Sequence, residues 1–370
     1  MTQQAQANQT AGRDRLHVLV VDDSAMVRQV MQNILTADPR IKVTVAADPL
    51  IAWTKMEKER PDVVITDLEM PHMDGLSFVR KIMAEAPLPV IVCTGLAASG
   101  TELAFRALEQ GAVEVISKPK LGVREFLCES SVRLLDTVWS AAAARLRCGS
   151  VGSAPLMTAD VVLPAAAKRP VACAGRNLVV VGASTGGTDA LRAFLAALPK
   201  NCPPIVVVQH MPEVFTRAFA ERLNAEFKMN VREAQNGDKV RAGTVLIAPG
   251  NFHTVLGQED SHFFVNVTNG PLVSRHRPSV DVLFRSAANT AGSNAVGVIM
   301  TGMGSDGAQG LLEMKQAGAA TIAQDEASSV VFGMPREAIA RGAVDYVVPL
   351  PRIGSCVLDL VNSSAQALRH

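Results

Sequence analysis

The chain lacks any marked excess of charge: 36 Lys and Arg stand against 35 Asp and Glu, a formal net charge of +1. A protein that holds nucleic acid non-specifically needs a basic excess, so that class is not expected here. Long apolar runs are missing too. No stretch reaches about 18 consecutive apolar residues, and the polar, Gln-rich start from Met1 to Arg15 has no apolar core, so neither a membrane span nor a signal peptide is read. A cytoplasmic protein without membrane insertion is the expectation. Cysteine is sparse. The six, at 93, 128, 148, 173, 202 and 356, are far apart and form no CxxC pair. That spacing argues against a zinc site or a disulfide framework and fits a reducing compartment. No repeat of solenoid length is present.

What the chain does have is a core-forming composition, 48% hydrophobic and 19% charged over 370 residues, enough for two domains and a linker. From His17 to about Arg147, β-branched runs alternate with amphipathic stretches. His17 to Val21, Ile41 to Ala46, Asp62 to Thr66, Val90 to Cys93 and Val113 to Ser117 read as the five strands of a parallel, doubly wound sheet. A long helix is expected over Val123 to Arg147. Gly149 to Arg176 is rich in Ala, Pro, Gly and Ser with one acid, Asp160, and reads as a flexible linker.

A second α/β alternation follows. Its strand candidates are Asn177 to Gly182, Pro204 to Gln209, Thr244 to Ala248, Phe263 to Val267, Ala295 to Met300, Ala320 to Ala323 and Ala343 to Val347. An antiparallel insertion is expected near 231 to 268, around the Asn236-Gly237 turn. The divisions are thus a tail at 1–15, a first domain at 16–147, a linker at 148–176 and a second domain at 177–370.

In the first domain, polar groups fall at the carboxyl ends of the strands, where open α/β sheets bind ligands. Asp22 and Asp23 follow strand one, Asp67 ends strand three, Thr94 ends strand four, and Lys118 follows strand five. Three carboxylates at one place repel one another unless a cation joins them, and an all-oxygen set suits Mg²⁺ together with phosphate oxygens. Thr94 and Lys118 can hold the oxygens of a transferred phosphoryl group. Taken alone, Asp22-Asp23 is equally well read as a helix cap.

In the second domain, Gly182-Ala183-Ser184-Thr185-Gly186 matches G-x-S-x-G between a strand and a helix. That turn presents a serine beside the free N–H groups of a helix start. His210 directly follows the strand PPIVVVQ, and Asp306 lies in the Gly-rich TGMGSDG segment after another strand. Singly these are a phosphate-turn serine, a structural histidine and a cap. At the ends of parallel strands they converge, so that Ser184 is a nucleophile, His210 its base and Asp306 the group orienting the imidazole. The order Ser, His, Asp differs from the Ser, Asp or Glu, His order of α/β-hydrolases.

The receiver domain of bacterial response regulators is what the first constellation, with LEMPHMDG after Asp67 and Lys118-Pro119, resembles. The resemblance implies phosphorylation of Asp67 by a histidine kinase and Mg²⁺ held by Asp22, Asp23 and Asp67 with the Glu69 backbone carbonyl. It also implies that Thr94 and Lys118 report the phosphoryl group. The aromatic residue that many receivers carry three positions before the lysine is Val115 here. With GASTGG, QHMP, APGNFH, RHRPSVDVLF and TGMGSDG behind it, the whole chain from about 16 to 362 resembles the chemotaxis protein-glutamate methylesterase family, CheB.

That likeness implies hydrolysis of glutamate methyl esters, and deamidation of glutamines, on the cytoplasmic helices of chemoreceptors. It places Ser184, His210 and Asp306 as the triad, the backbones of Thr185 and Met303 at the oxyanion, and no cofactor at the esterase site. It further implies that the unphosphorylated receiver covers the triad cleft. Arg275, His276 and Arg277, near Asp281, are candidates for contact with an acidic receptor helix, or equally a solvated loop that caps the next helix. His253 is read as structural. Two other functions compete with this one. A receptor-docking module with little turnover would tolerate loss of a triad position, and none is lost; a nucleotide site would want a loop lysine, and neither Gly-rich loop has one.

Overall fold

The computed structural model describes residues 15–70, 73–95, 98–118, 124–143, 157–164, 178–260 and 262–367. The expected tail up to residue 14, Pro119, most of the linker and two of the cysteines (148 and 173) lie outside these. The chain divides into two compact units, the first ending at Cys148 and the second beginning at Gly149.

The first unit is a five-stranded parallel sheet: β1 (Leu16–Val21), β2 (Ile41–Ala46), β3 (Val63–Asp67), β4 (Val90–Thr94) and β5 (Glu114–Ser117), in the order β2-β1-β3-β4-β5. Its helices are α1 (Ala25–Thr36), α2 (Pro49–Lys58), α3 (Gly75–Glu85), α4 (Ala98–Glu109) and α5 (Arg124–Ala143). β1, β3 and β4 are buried along their whole length, as strands covered by helices on both faces must be. Helix starts follow from capping: Ser24, Asp48 and Asp74 each accept from backbone N–H groups in the first turn of the helix that follows, satisfying donors that have no intrahelical partner.

The second unit has a seven-stranded parallel sheet: β6 (Leu178–Ala183), β7 (Ile205–Gln209), β8 (Asn230–Glu233), β10 (Thr244–Ile247), β13 (Ala295–Ile299), β14 (Ala320–Gln324) and β15 (Tyr346–Val348). Their order is β15-β14-β13-β6-β7-β10-β8. The chain starts at β6, runs outward through β7, then crosses to β13 on the other side, so the strand order reverses between β6 and β13. Ligands of such sheets sit outside the carboxyl ends of the strands at this reversal.

The antiparallel insertion is narrower than expected. It is a three-stranded sheet of β9 (Asp238–Lys239), β11 (His253–Glu259) and β12 (His262–Thr268), while β8 and β10 pair in parallel within the main sheet. Six helices complete the unit: α6 (Gly187–Ala196), α7 (Glu213–Glu226), α8 (Val280–Thr290), α9 (Ala308–Gln316), α10 (Met334–Ala340) and α11 (Leu350–Ala367). Phe284, Leu311, Met314 and Met334 from α8 to α10 form one buried cluster with Leu178 and Val180 of β6. Truncating Phe284 to Ala would cost about 3–5 kcal/mol, the usual price of a large buried side chain.

Part of the expected linker is not free chain. Residues 157–164 form a strap on the second unit: a short 3-10 turn at Ala159–Val161 buries Ala159 against Val273 and Val282, with Val162, Leu163 and Val255 around them. Arg285 of α8 pins it, donating to Asp160 at 2.7 Å and to the Leu163 carbonyl at 3.1 Å. The same guanidinium makes a two-point ion pair with Glu313, at 2.8 and 2.7 Å. A linker reading from composition misses this because the apolar partners and the arginine lie far along the chain.

Candidate active site

At the reversal of the large sheet, β6 ends in Ala183 paired with Gln209 of β7, so the next residues, Ser184 and His210, leave adjacent strands side by side. The His210 N–H donates to the Ala183 carbonyl at 3.1 Å, and the Ser184 N–H to the Thr301 carbonyl after β13 at 3.0 Å. Ser184 is buried, at 8% exposure. The turn beyond it closes through Gly187 N–H to Ser184 O and needs Gly186, whose φ of 76° is left-handed and strained for a residue with a side chain. On the other flank a Cβ at Gly302 would lie 2.7 Å from the Ser184 Cβ, so only glycine lets the segment carrying Met303 approach the serine.

His210 Nε2 lies 2.8 Å from Asp306 Oδ2, with both side chains buried. The acid is acceptor-only when ionised, so Nε2 carries the hydrogen and Nδ1 is the basic nitrogen. Nδ1 is itself buried and has no hydrogen-bond partner among the described residues, which leaves it available to take a proton. Asp306 is held by more than the histidine. Oδ1 accepts from the Ser279 hydroxyl at 2.7 Å and the Asp281 N–H at 3.0 Å, and Oδ2 also accepts from the Val280 N–H at 2.7 Å. These last groups are the first turn of α8, so Asp306 caps a helix from across the fold. Burial works to raise its pKa; the hydrogen bond and charge of His210, the charge of His276 and the Ser279 hydroxyl outweigh it and hold the carboxyl well below its ordinary value. Beside it Asp281, buried and facing the Asp306 charge, is pushed up to about 7.

Several site residues were not singled out from sequence. Gln209 donates from its amide to the carbonyls of Ser184 at 2.9 Å and His210 at 3.3 Å, tying the turns that carry the two residues together. Thr301 Oγ1 donates to the Thr185 carbonyl at 2.9 Å, and its own N–H is received by Gln324 at 2.9 Å. Their signal was present: Gln209 and Gln324 are amides at the ends of strands otherwise apolar but for Thr321, and both are buried, where an amide must find partners.

His276 lies stacked on His210, ring centroids 3.7 Å apart and planes 8° from parallel. Arg277 donates to Asn251 at 2.7 and 3.2 Å and to the Gly270 carbonyl at 2.5 Å, which ties its loop together. His253 is wholly buried; Nε2 donates to the Pro271 carbonyl at 2.8 Å and Nδ1 accepts the Ser279 N–H at 3.3 Å, so its role is structural.

In the first unit, Asp22 and Asp67 are buried and Asp23 exposed, and each offers an oxygen within 4.8 Å of the others'. Lys118 Nζ bridges them, 2.7 Å from Asp67 and 2.9 Å from Asp22. Burial opposes the ammonium, but the two carboxylates outweigh it and raise its pKa; burial in turn raises that of Asp22 against the Lys118 bond. Arg28 fixes the acidic turn by donating to the Asp22 and Asp23 carbonyls at 2.7 and 3.0 Å. Thr94 is buried at the end of β4, and Val115 is buried in β5 opposite Val92. The donor set, three carboxylates and no nitrogen or sulfur, fits Mg²⁺.

Fold and site together define a response regulator receiver joined to a second parallel-sheet domain with a buried serine at a strand-to-helix turn. A response regulator receiver domain matches residues 18–124 and a CheB methylesterase domain residues 179–357. A protein-glutamate methylesterase/protein-glutamine glutaminase of Geobacter metallireducens is 56% identical over 351 residues, covering 94% of this chain and 99% of the relative. One from Anaeromyxobacter dehalogenans is 59% identical, covering 91% and 94%. The catalytic domain of Thermotoga maritima CheB is 42% identical with a TM-score of 0.49, covering 50% of this chain and 99% of that one. The chain belongs to the protein-glutamate methylesterase/protein-glutamine glutaminase family. No helix among the described residues is long and apolar enough to cross a membrane.

Proposed function

We propose that the chain removes methyl groups from glutamate methyl esters on the cytoplasmic helices of methyl-accepting chemoreceptors, and deamidates selected glutamines there, giving adaptation in chemotaxis. The observation that carries the triad is the buried His210–Asp306 hydrogen bond of 2.8 Å, placed one strand from Ser184. In this reading His210 Nδ1 takes the Ser184 proton as Oγ attacks the side-chain carbonyl. Backbone N–H groups of Thr185 and Met303 receive the oxyanion, and methanol, or ammonia from glutamine, departs with the proton returned by His210. Water then attacks the acyl-serine by the same route reversed. No cofactor is needed for these steps.

The receiver acts as the control. A chemotaxis histidine kinase supplies the phosphoryl group to Asp67, with Asp22, Asp23 and Asp67 holding Mg²⁺ and Lys118 and Thr94 gripping the phosphoryl oxygens. The metal would shield the charge that builds on those oxygens. Phosphorylation then shifts the receiver away from the catalytic cleft, a two-state bias of the kind one new charge can supply. The test is methanol release from methyl-labelled receptor, with and without a small-molecule phosphodonor. Release that rises with the donor and vanishes in Ser184→Ala supports the reading. Receptor binding with no methanol from either protein would instead support a docking module.

A further inference from the structure

Two of the seven histidines face each other flat in the catalytic unit, and the chemistry proposed above uses only one of them. The second, His276, closes a tight turn in which the Val273 N–H reaches the His276 carbonyl at 3.1 Å and the His276 N–H returns to the Val273 carbonyl at 2.8 Å. Both residues between them, Ser274 and Arg275, have positive φ, 51° and 68°. Side-chain-bearing residues hold that conformation only where their surroundings enforce it.

Three contacts enforce it here. The Ser274 N–H donates to the Met157 carbonyl of the strap at 2.9 Å. The Ser274 hydroxyl donates to Asp281 at 3.2 Å, and Val273 is buried between Ala159 of the strap and Val282 of α8. The product of this bracing is the ring of His276 lying parallel on His210, centroids 3.7 Å apart.

The braced turn and the flat stack point to one role. We propose that His276 is a positioning residue for His210: its ring backs the face of the imidazole and holds it in the plane set by Asp306 and Ser184. The inference rests on the Ser184–His210–Asp306 reading. A His210 ring held only at Nε2 can pivot about that hydrogen bond, swinging Nδ1 away from the serine; a ring packed on its face cannot. Substrate contact by His276 makes a different prediction, because it would act on binding and not on the base.

The experiment compares His276→Ala, His276→Gln and His276→Phe in the full chain on methyl-labelled receptor, measuring kcat and KM. The expectation is a kcat lowered about 10- to 100-fold in the Ala and Gln variants, the size of loss a small misplacement of a catalytic group brings, with KM within twofold. The Phe variant should recover most of that loss. A rise in KM at unchanged kcat in any of the three would assign His276 to substrate contact and overturn the proposal. So would equal losses in the Phe and Gln variants. If the Ala variant unfolds, the Phe and Gln comparison decides alone. Loss of turnover in Ser184→Ala with wild-type kcat in all three His276 variants overturns only this inference, whereas turnover that survives Ser184→Ala overturns the triad beneath it.

Discussion

Val280 donates its backbone N–H to the same Asp306 oxygen that receives His210 Nε2, at 2.7 Å and 2.8 Å. The acid proposed to orient the base is therefore also the cap of α8, and its four donors leave no place for an amide NH₂ group. On the Oδ2 side that group would face Val280 N–H and His210; on the Oδ1 side it would face Asp281 N–H.

Asp306→Asn should accordingly do two things at once. One buried N–H loses its acceptor, costing about 1–3 kcal/mol of stability, and kcat falls on the order of 10² to 10⁴ fold, the upper end being the loss known for serine proteases. Methanol release and urea denaturation on the same preparation check both. A variant within twofold of wild type in rate would show that Asp306 is a cap and nothing more.

Asp281 makes stability depend on pH. Its carboxyl is raised from 3.8 to about 7 by burial first and by Asp306 second, so the folded state binds that proton more tightly than the unfolded one. The stabilisation it gives is complete below its unfolded value and is lost as pH rises toward and through 7. Asp281→Asn keeps an acceptor for Gly310 N–H and removes the titration. Thermal melts at pH 5 and pH 8 should then show the variant gaining on wild type at the higher pH. A difference that does not change with pH would mean that Asp281 titrates normally.

The strap predicts an asymmetry between the two ends of one ion pair. Arg285 is buried, with a side-chain exposure of 5%, and Glu313 nearly so, whereas Asp160 lies largely in water. Arg285→Met strands Glu313 and should cost roughly 3 kcal/mol in a urea titration, toward the low end for a broken buried pair. Asp160→Asn should cost much less. Equal losses would place the strap's anchor at Asp160 instead.

In the receiver, Asp67→Asn or excess EDTA should abolish labelling by a small-molecule phosphodonor, since the carboxylate and the cation are both required. Labelling that survives Asp67→Asn would move the acceptor elsewhere. Val115→Tyr should alter how strongly phosphorylation activates the esterase while leaving labelling intact; because Val115 is buried, loss of labelling as well would show that packing around β5 shapes the phosphorylation site.

The sheets were legible because their strands are uninterrupted β-branched runs that end in polar residues. Ser184, His210, Asp306, Asp22, Asp23, Asp67, Thr94 and Lys118 each follow or end such a run, and the fold gathers strand ends. Asn230–Glu233 escaped notice because it is four residues with alternating polar positions at the sheet edge. The stacking of His276 could not be read from spacing, since it depends on a turn folding back between the strap and α8. The strap was hidden for a related reason: Ala159 has no apolar periodicity around it, and the Asp160 partner, Arg285, is 125 residues away.

The strap bears on how such a two-part protein is assembled from genes. A recombination event that joins a new regulatory module at the first strand of the hydrolase, near residue 178, discards Met157, Ala159 and Asp160, and with them the bracing of the turn beneath His276. The heritable catalytic cassette therefore begins some twenty residues upstream of its first strand, inside sequence that looks expendable, and a crossover that respects that hidden boundary hands on a working base.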